Sequence, residues 1–390
     1  MKGGCKLMKK KSFKSMLLVA ISTMLMMVLN PFVAFGSNEK IQVGIIAPTT
    51  GGVAVYGQAA LNGVKLAIEE INANGGVLGG KQIELTILDD KGDATEGINA
   101  YNKLMGNKVK AIIGPITSGV VAGVAEKAKV DNMLILTPTG TADSLTVGKP
   151  SVFRTCYTDS YQGKIAAKFA ATKLNIKKVA VIYCNADEYS LGLYEAFKES
   201  CKENNIEIVA TETSASMDDV NFSAQLGKIA MSDAEALFVP FYYGTVALLV
   251  PQAREAGFEG AMIGADGWDG IGDKMGDNVE AFNKCYFTNH YSEEDPSEKV
   301  QNFVKAYSAK YNDGSLNVFS ALGYDAAYMI AQAINDAKSD DTDKMIEAMA
   351  KINFSGVTGN FTLDENGDPK KGAPIIEIVD GKMKWSTTIE

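Results

Sequence analysis

An α/β fold of two doubly wound parallel-sheet lobes is predicted by three observations. Strand-like and helix-like patterns alternate almost without a break from residue 41 to residue 263. They fall into two successive series, the second opening near Asp159. Behind an N-terminal leader pattern, roughly 350 residues exceed what one hydrophobic core comfortably covers, so two lobes are expected. Alternating βα units build parallel sheets with helices on both faces.

The first series reads strand 41–47, a glycine-rich loop, helix 58–72, strand 82–88, helix 95–105, strand 110–113, helix 120–129 and strand 133–136. Its strands are short apolar runs bounded by Gly, Asp or Pro, and its helices carry apolar residues at three- and four-residue spacing. The second series reads helix 161–174, strand 178–183, helix 191–204, strand 206–211, helix 222–231, strand 236–240, helix 245–256 and strand 261–263. The tail departs from the alternation, with helices over 297–311, 318–337 and 344–350. Strands over 359–363 and 375–379 are predicted to flank the turn Asp364–Asp368, and Val379–Lys382 (VDGK) is a second tight turn. No low-complexity tether interrupts the chain, so several short crossings are expected between the lobes.

Two stretches carry the functional signal: Gly114–Gly119 (GPITSG) and Thr137–Thr141 (TPTGT). Each follows a buried-strand run, and the first leads into a helical pattern. Small and hydroxyl residues there leave backbone N–H groups free, and a helix start adds its positive dipole end. Two such turns on neighbouring strands could share one carboxylate, which points to small-molecule capture.

The N-terminus reads as a secretory signal. Lys9, Lys10, Lys11 and Lys14 precede an apolar run over residues 16–29, Asn30-Pro31 breaks it, and Ala34-Phe35-Gly36 fits a small-x-small cleavage site after residue 36. About 14 residues fall short of the roughly 20 that a membrane span needs. Met8 is an alternative start. Cleavage removes six lysines, so 38 basic residues fall to 32 against 47 acidic ones and the net charge moves from −9 to −15. An acidic surface excludes nucleic acid and anionic lipid as natural partners. Cys156, Cys184, Cys201 and Cys285 lack metal-site spacing. A Cys184–Cys201 bridge is permitted in an exported protein, and buried free thiols are the expectation for scattered cysteines.

Enzyme machinery is missing from the pattern. His290 is the only histidine, and its polar setting over 288–292 (TNHYS) reads as a solvated loop. No dinucleotide fingerprint follows a strand. Residues 75–82 (GGVLGGKQ) imitate a phosphate loop, but Gln82 stands where Ser or Thr must bind magnesium, and the segment sits between a helix and the next strand. No metal site and no cofactor are expected.

A family resemblance follows from motifs in order along the chain: 41–51 (IQVGIIAPTTG) with Tyr56-Gly57, 68–72 (IEEIN), 74–76 (NGG), Asp89-Asp90, 113–115 (IGP), 137–139 (TPT), 153–155 (FRT), 252–257 (QAREAG) and 323–326 (GYDA). Over residues 40–380 the chain resembles the leucine/isoleucine/valine-binding family, the extracytoplasmic receptors of branched-chain amino-acid ABC importers. The resemblance implies the type I periplasmic binding protein fold, with ligand held between lobes that close about a three-crossing hinge. It places the crossings near Thr155, 287–290 and 370–372, giving an N-terminal lobe of 37–155 plus 288–370 and a C-terminal lobe of 156–287 plus 371–390. A monomer that delivers an amino acid to ABC permease subunits is implied.

Carried over residue by residue, Ser118 matches the serine that holds the ligand carboxylate. Thr139 offers a backbone carbonyl to the ligand ammonium, Thr141 touches both ends, and Asp266 pairs with the ammonium. Tyr56, Tyr189 and Tyr242 match ring positions facing the ligand. Asp269 is a competing carboxylate, Trp268 a candidate wall beside Asp266, and Asp325 either a further participant or a cap. The chain departs from the family at Gly92 and Thr117, where relatives often carry a disulfide, and at Thr139, where alanine is common. No lipobox cysteine precedes residue 37, so an unanchored exported form is expected. The remaining alternatives are a receptor for an aliphatic amide, urea or aromatic acid, and a sensory ligand-binding protein.

Overall fold

β1 (Lys40–Ala47) lies between β2 (Gln82–Asp89) and β3 (Ala111–Ile113), and β4 (Ile135–Thr137) and β5 (Val152–Arg154) complete a five-stranded sheet in the order β2-β1-β3-β4-β5. Every pairing in it is parallel. The computed structural model describes Met1 and residues 40–389 apart from residue 313; the expected leader over 1–36 lies outside the described residues. β3 and β4 are buried at every position, as strands covered on both faces must be, so they read as continuous apolar runs rather than alternating ones.

The helices that cover this sheet are α1 (Ala54–Ala73), α2 (Ala94–Gly106), α3 (Ser118–Asp131) and α9 (Val318–Ala337). α1 and α9 cross at backbone contact. A Cβ on Gly63 would sit 2.0 Å from the Ser320 carbonyl oxygen, and one on Gly323 would sit 2.3 Å from that of Ala60. Glycine at both positions is what permits the approach. α9 begins with a reciprocal capping box, Asn317 accepting from Ser320 N–H and Ser320 Oγ accepting from Asn317 N–H.

The second sheet has seven strands, ordered β14-β13-β10-β9-β8-β6-β7. β6 (Lys178–Cys184), β7 (Glu207–Ser214), β8 (Ala236–Phe238), β9 (Ala261–Gly264) and β10 (Cys285–Thr288) are mutually parallel. α4 (Asp159–Thr172), α5 (Glu188–Glu203), α6 (Ser223–Ala230) and α7 (Tyr243–Glu255) connect them. Asp187 and Thr158 cap α5 and α4 through side-chain oxygens.

The tail corrects one expectation. β12 (Gly359–Thr362) does not pair with β13 (Ala373–Val379); it forms a two-stranded ribbon with β11 (Asn353–Gly356). β13 instead runs antiparallel to β10 and to β14 (Lys382–Ile389), so the second sheet is mixed rather than wholly parallel. The turn rich in Asp and Gly ends in only a single bridge, Leu363 to Pro369. The VDGK turn does close a hairpin: Asp380 and Gly381 both take positive φ, as the tight turn between β13 and β14 requires.

The chain passes between the sheets three times: after β5, between β10 and α9, and between β12 and β13. α8 (Glu298–Lys310) and α10 (Thr342–Met349) complete the set of elements. Cys156, Cys184, Cys201 and Cys285 are buried and free.

Candidate ligand site

The two small-residue turns meet where the sheets face each other. Gly114, at φ +100°, ends β3 against β1, where a Cβ would sit 2.1 Å from the Ile46 carbonyl oxygen. That frees the following residues to start α3 at Ser118. Ser118 Oγ accepts from Thr141 N–H at 3.2 Å and from Ala142 N–H at 3.3 Å, so the second turn is tied to the start of the helix. Thr139 turns its hydroxyl away, donating to the Ile116 carbonyl at 2.6 Å. Thr141 Oγ1 is buried, and the Asp159 carboxyl is the group it acts on.

Across from these turns sits Asp266, at the end of β9 and 2% exposed. Its Oδ1 accepts from Tyr189 Oη at 3.0 Å and Gln162 Nε2 at 3.1 Å, and its Oδ2 lies 3.0 Å from His290 Nε2. Burial holds the His290 imidazole neutral, pushing its pKa down to about 4 against the pull of Asp266. No lysine or arginine among the described residues pairs with Asp266. A second carboxylate lies close by: Asp159 Oδ1 is 3.4 Å from the same Gln162 amide, and its Oδ2 is buried. Burial first, then repulsion from Asp266, raises the Asp159 pKa well above the usual carboxylate range.

Tyr56, Ile116, Thr117, Ser118, Thr139, Tyr189, Tyr242, Asp266, Gly267 and Phe319 line a small cavity of about 20 Å³. Six of the seven residues singled out in the sequence are therefore brought together, and Thr141 stands directly behind them through Ser118. The rings interlock: Tyr189 stacks on Tyr242 with centroids 5.0 Å apart, and Tyr56 on Phe319 at 4.1 Å. Tyr56 Oη donates to the Gly267 carbonyl at 2.5 Å and accepts from Tyr243 N–H at 3.0 Å, joining α1 to the second sheet's loops.

The family profile described as periplasmic binding protein matches residues 40–382. The chain belongs to that family. This periplasmic binding protein is similar to the leucine-, isoleucine-, valine-, threonine- and alanine-binding protein of Pseudomonas aeruginosa, at 29% identity over 85% of this chain and 88% of that one. It is 31% identical to Leu/Ile/Val-binding protein homolog 3 of Brucella melitensis, over 90% of this chain and 93% of that one. Among solved structures it resembles LivJ, the branched-chain amino acid transporter substrate binding protein of Streptococcus pneumoniae, in complex with isoleucine. That match has a TM-score of 0.83 at 35% identity and covers 90% of this chain and 99% of the other. The fold is that of type I periplasmic binding proteins, and the family is one of solute-binding proteins, not enzymes.

Several residues of this binding protein's site carried no usable signal in the sequence. His290, read as a solvated loop residue, is 2% exposed, stacked on Tyr157 and bonded to Asp266. Its polar neighbours satisfy one another: Asn289 Nδ2 donates to Asp269, and Asn289 Oδ1 accepts from His290 N–H. Gln162 bridges two carboxylates from inside a helix, where nothing marks it. Arg154 is buried and donates to the carbonyls of Gly140 and Ala142 and to Thr146 Oγ1, with its Nε 2.6 Å from Asp368 Oδ1, so it props the second turn from below. Its appearance in the FRT motif was the one available hint.

Three further candidates have structural work instead. Asp269 accepts from Gly270 N–H, Asn289 Nδ2 and Val318 N–H. Asp325 accepts from Val357 and Thr358 N–H and from Thr358 Oγ1. Trp268 is wholly buried, its indole N–H donating to the Val239 carbonyl, and belongs to the core beside Phe287 rather than to the cavity wall.

Proposed function

We propose that this periplasmic binding protein is an extracytoplasmic receptor that captures an apolar α-amino acid between two lobes and delivers it to the permease of an ABC importer. The observation that carries the reading is Asp266, a buried carboxylate with no cationic side chain beside it among the described residues, whose contacts are a neutral imidazole, a tyrosine hydroxyl and an amide. An isolated buried charge is costly, and a ligand ammonium in the adjoining cavity supplies the missing partner. The opposite wall supplies the complementary half: Ser118 Oγ, the first N–H groups of α3 and the Thr141 turn receive a carboxylate. The Thr139 carbonyl and Thr141 Oγ1 then complete the ammonium's shell, and Tyr56, Tyr189, Tyr242 and Phe319 surround the side chain.

The relatives' printed ligands support this choice of chemistry: Leu, Ile, Val, Thr and Ala for the Pseudomonas protein, isoleucine for LivJ. On this reading the lobes are 37–155 with 288–370 and 156–287 with 371–390, and they rotate about the three passages of chain. Ligand drives closure because it touches both sides only in the closed state.

A thermal-shift screen against the L-amino acids, aliphatic amides, urea and aromatic acids tests the proposal, since a ligand that binds the folded state alone raises the midpoint. Stabilisation by Ile, Leu or Val is expected. A response confined to compounds without an ammonium group overturns it in favour of an amide or organic-acid receptor.

A further inference from the structure

We infer that His290 is a positioning residue for Asp266: from the second passage of chain between the sheets it orients the ammonium-receiving carboxylate and links that carboxylate to the movement of the passages. The inference deepens the amino-acid reading and rests on it.

Two observations and what they require of the ring carry it. His290 Nε2 lies 3.0 Å from Asp266 Oδ2, with both side chains buried. Nδ1 is also buried and has no partner among the described residues. A neutral ring in this setting must keep its proton on Nε2, because only that tautomer donates to the carboxylate. Adding a second proton at Nδ1 would bury a donor with nothing to receive it, so the site itself opposes the charged form.

The ring is also clamped between the first and second passages. Tyr157, in the first, stacks on it with centroids 3.8 Å apart and donates its hydroxyl to the Asn289 carbonyl at 2.7 Å. Asn289 N–H, in the second, donates to the Pro374 carbonyl of β13 at 2.8 Å, one rung beyond the β10–β13 ladder. A ligand that fixes Asp266 therefore fixes the imidazole and, through its stack on Tyr157, the contact between the first two passages.

The charged and titratable groups around the ring are few. Asp266 faces Nε2, Lys371 acts on it from the third passage, and Tyr157 covers its face. Asp159 and Asp269 act on Asp266, while Asp325 and Cys156 act on Lys371. Burial outweighs the attraction of Asp266 and keeps the ring neutral down to about pH 4. Protonation below that would give Asp266 an internal cation and weaken its hold on a ligand ammonium, so affinity falls as pH drops through the imidazole's own titration.

His290 is the only histidine in the sequence, so nitrogen NMR of the full chain reads its ring without assignment. In the ligand-free protein the expected spectrum at pH 7 is the Nε2–H tautomer, titrating near pH 4 and perturbed by Asp266→Asn. An Nδ1–H tautomer, or a midpoint near the ordinary 6.5, overturns the pairing whether or not any amino acid binds. Calorimetric titration with isoleucine then tests the coupling. Saturation should shift the imidazole signals, His290→Leu should weaken binding roughly 30-fold or more, and His290→Gln, which restores a donor near Nε2, should recover most of the affinity and lose the histidine's share of the acid limb. Equal binding by wild type and His290→Leu overturns the inference, as does heat of binding with no imidazole shift. If isoleucine gives no heat with wild type, the amino-acid reading fails and the claim that His290 orients an ammonium-receiving group falls with it, while the spectrum still decides the His290–Asp266 pair.

Discussion

Tyr243 donates its backbone N–H to the Tyr56 hydroxyl at 3.0 Å, and the two rings meet edge to face at 5.0 Å, so a residue of α1 is latched to the start of α7 across the candidate cleft. Tyr56 donates its own hydroxyl to the Gly267 carbonyl, and Tyr243 Oη donates to the Gly52 carbonyl at 2.9 Å. These contacts join α1 and the loop before it to the loops of the second sheet and, on the proposed reading, hold the closed arrangement.

Tyr56→Phe should therefore weaken ligand binding by about 1–3 kcal/mol, roughly 5- to 150-fold, by leaving Tyr243 N–H and the Gly267 carbonyl unpaired in the closed state. In an open state water satisfies both groups, so the melting temperature without ligand should move much less than the affinity. Calorimetric titration with isoleucine beside ligand-free melting separates the two effects. A loss of stability without a loss of affinity would reassign Tyr56 to packing.

Asp266→Asn keeps the shape of the side chain and removes the charge. Binding of an α-amino acid should weaken by about 3 kcal/mol or more, on the order of 100-fold, because a ligand ammonium would then be buried without its counter-ion. The folded protein should be no less stable, since the carboxylate is itself buried without a cation. Unchanged affinity in titration calorimetry would remove Asp266 from the site.

His290 and Asp159 should give stability opposite dependences on pH. Buried His290 titrates near 4 in the folded state against about 6.5 in the unfolded chain, so the unfolded chain binds more protons between those values. Stability is then present above pH 6.5 and lost by roughly 3 kcal/mol as pH falls to 4. Asp159 has its folded pKa raised, so it contributes the reverse: stability present below its unfolded value and lost as pH rises through the folded one. His290→Gln should flatten the acid side of a melting-temperature profile. Asp159→Asn should raise the melting temperature at pH 7 more than at pH 4, and equal shifts at both would show that Asp159 is not buried as described.

Arg154→Met should destabilise the fold by about 3–5 kcal/mol, because Asp368 would be left buried without its guanidinium and the carbonyls of Gly140 and Ala142 without donors. Since those carbonyls hold the turn that reaches Ser118, affinity should fall as well. Urea unfolding followed at constant slope measures the first effect, and calorimetry on the folded fraction the second.

The α/β class, the order of most helices and strands and the two candidate turns were legible because each rests on local chemistry: periodic burial, capping residues, glycine at positive φ. Ser118, Thr139, Thr141 and Asp266 stand at strand ends, where that chemistry is visible within a few residues. The pairing of β13 with β10 and β14 rather than with β12 was not visible, because strand partners are chosen by long-range burial and the turn over 364–368 fits either outcome. His290 was misread for the same reason. A polar segment reads as solvated until Asp266, Asp269 and Tyr157, all distant in sequence, supply its partners.

By itself, then, the sequence determined the alternation of elements, the candidate turns after β3, β4 and β9, and the family to which the chain belongs. Tertiary structure alone decided that Gln162 is shared by two carboxylates, that Arg154 supports the second turn and that a neutral histidine faces Asp266. Those facts depend on desolvation and on which groups the folded chain brings together from different elements, and no local pattern encodes either.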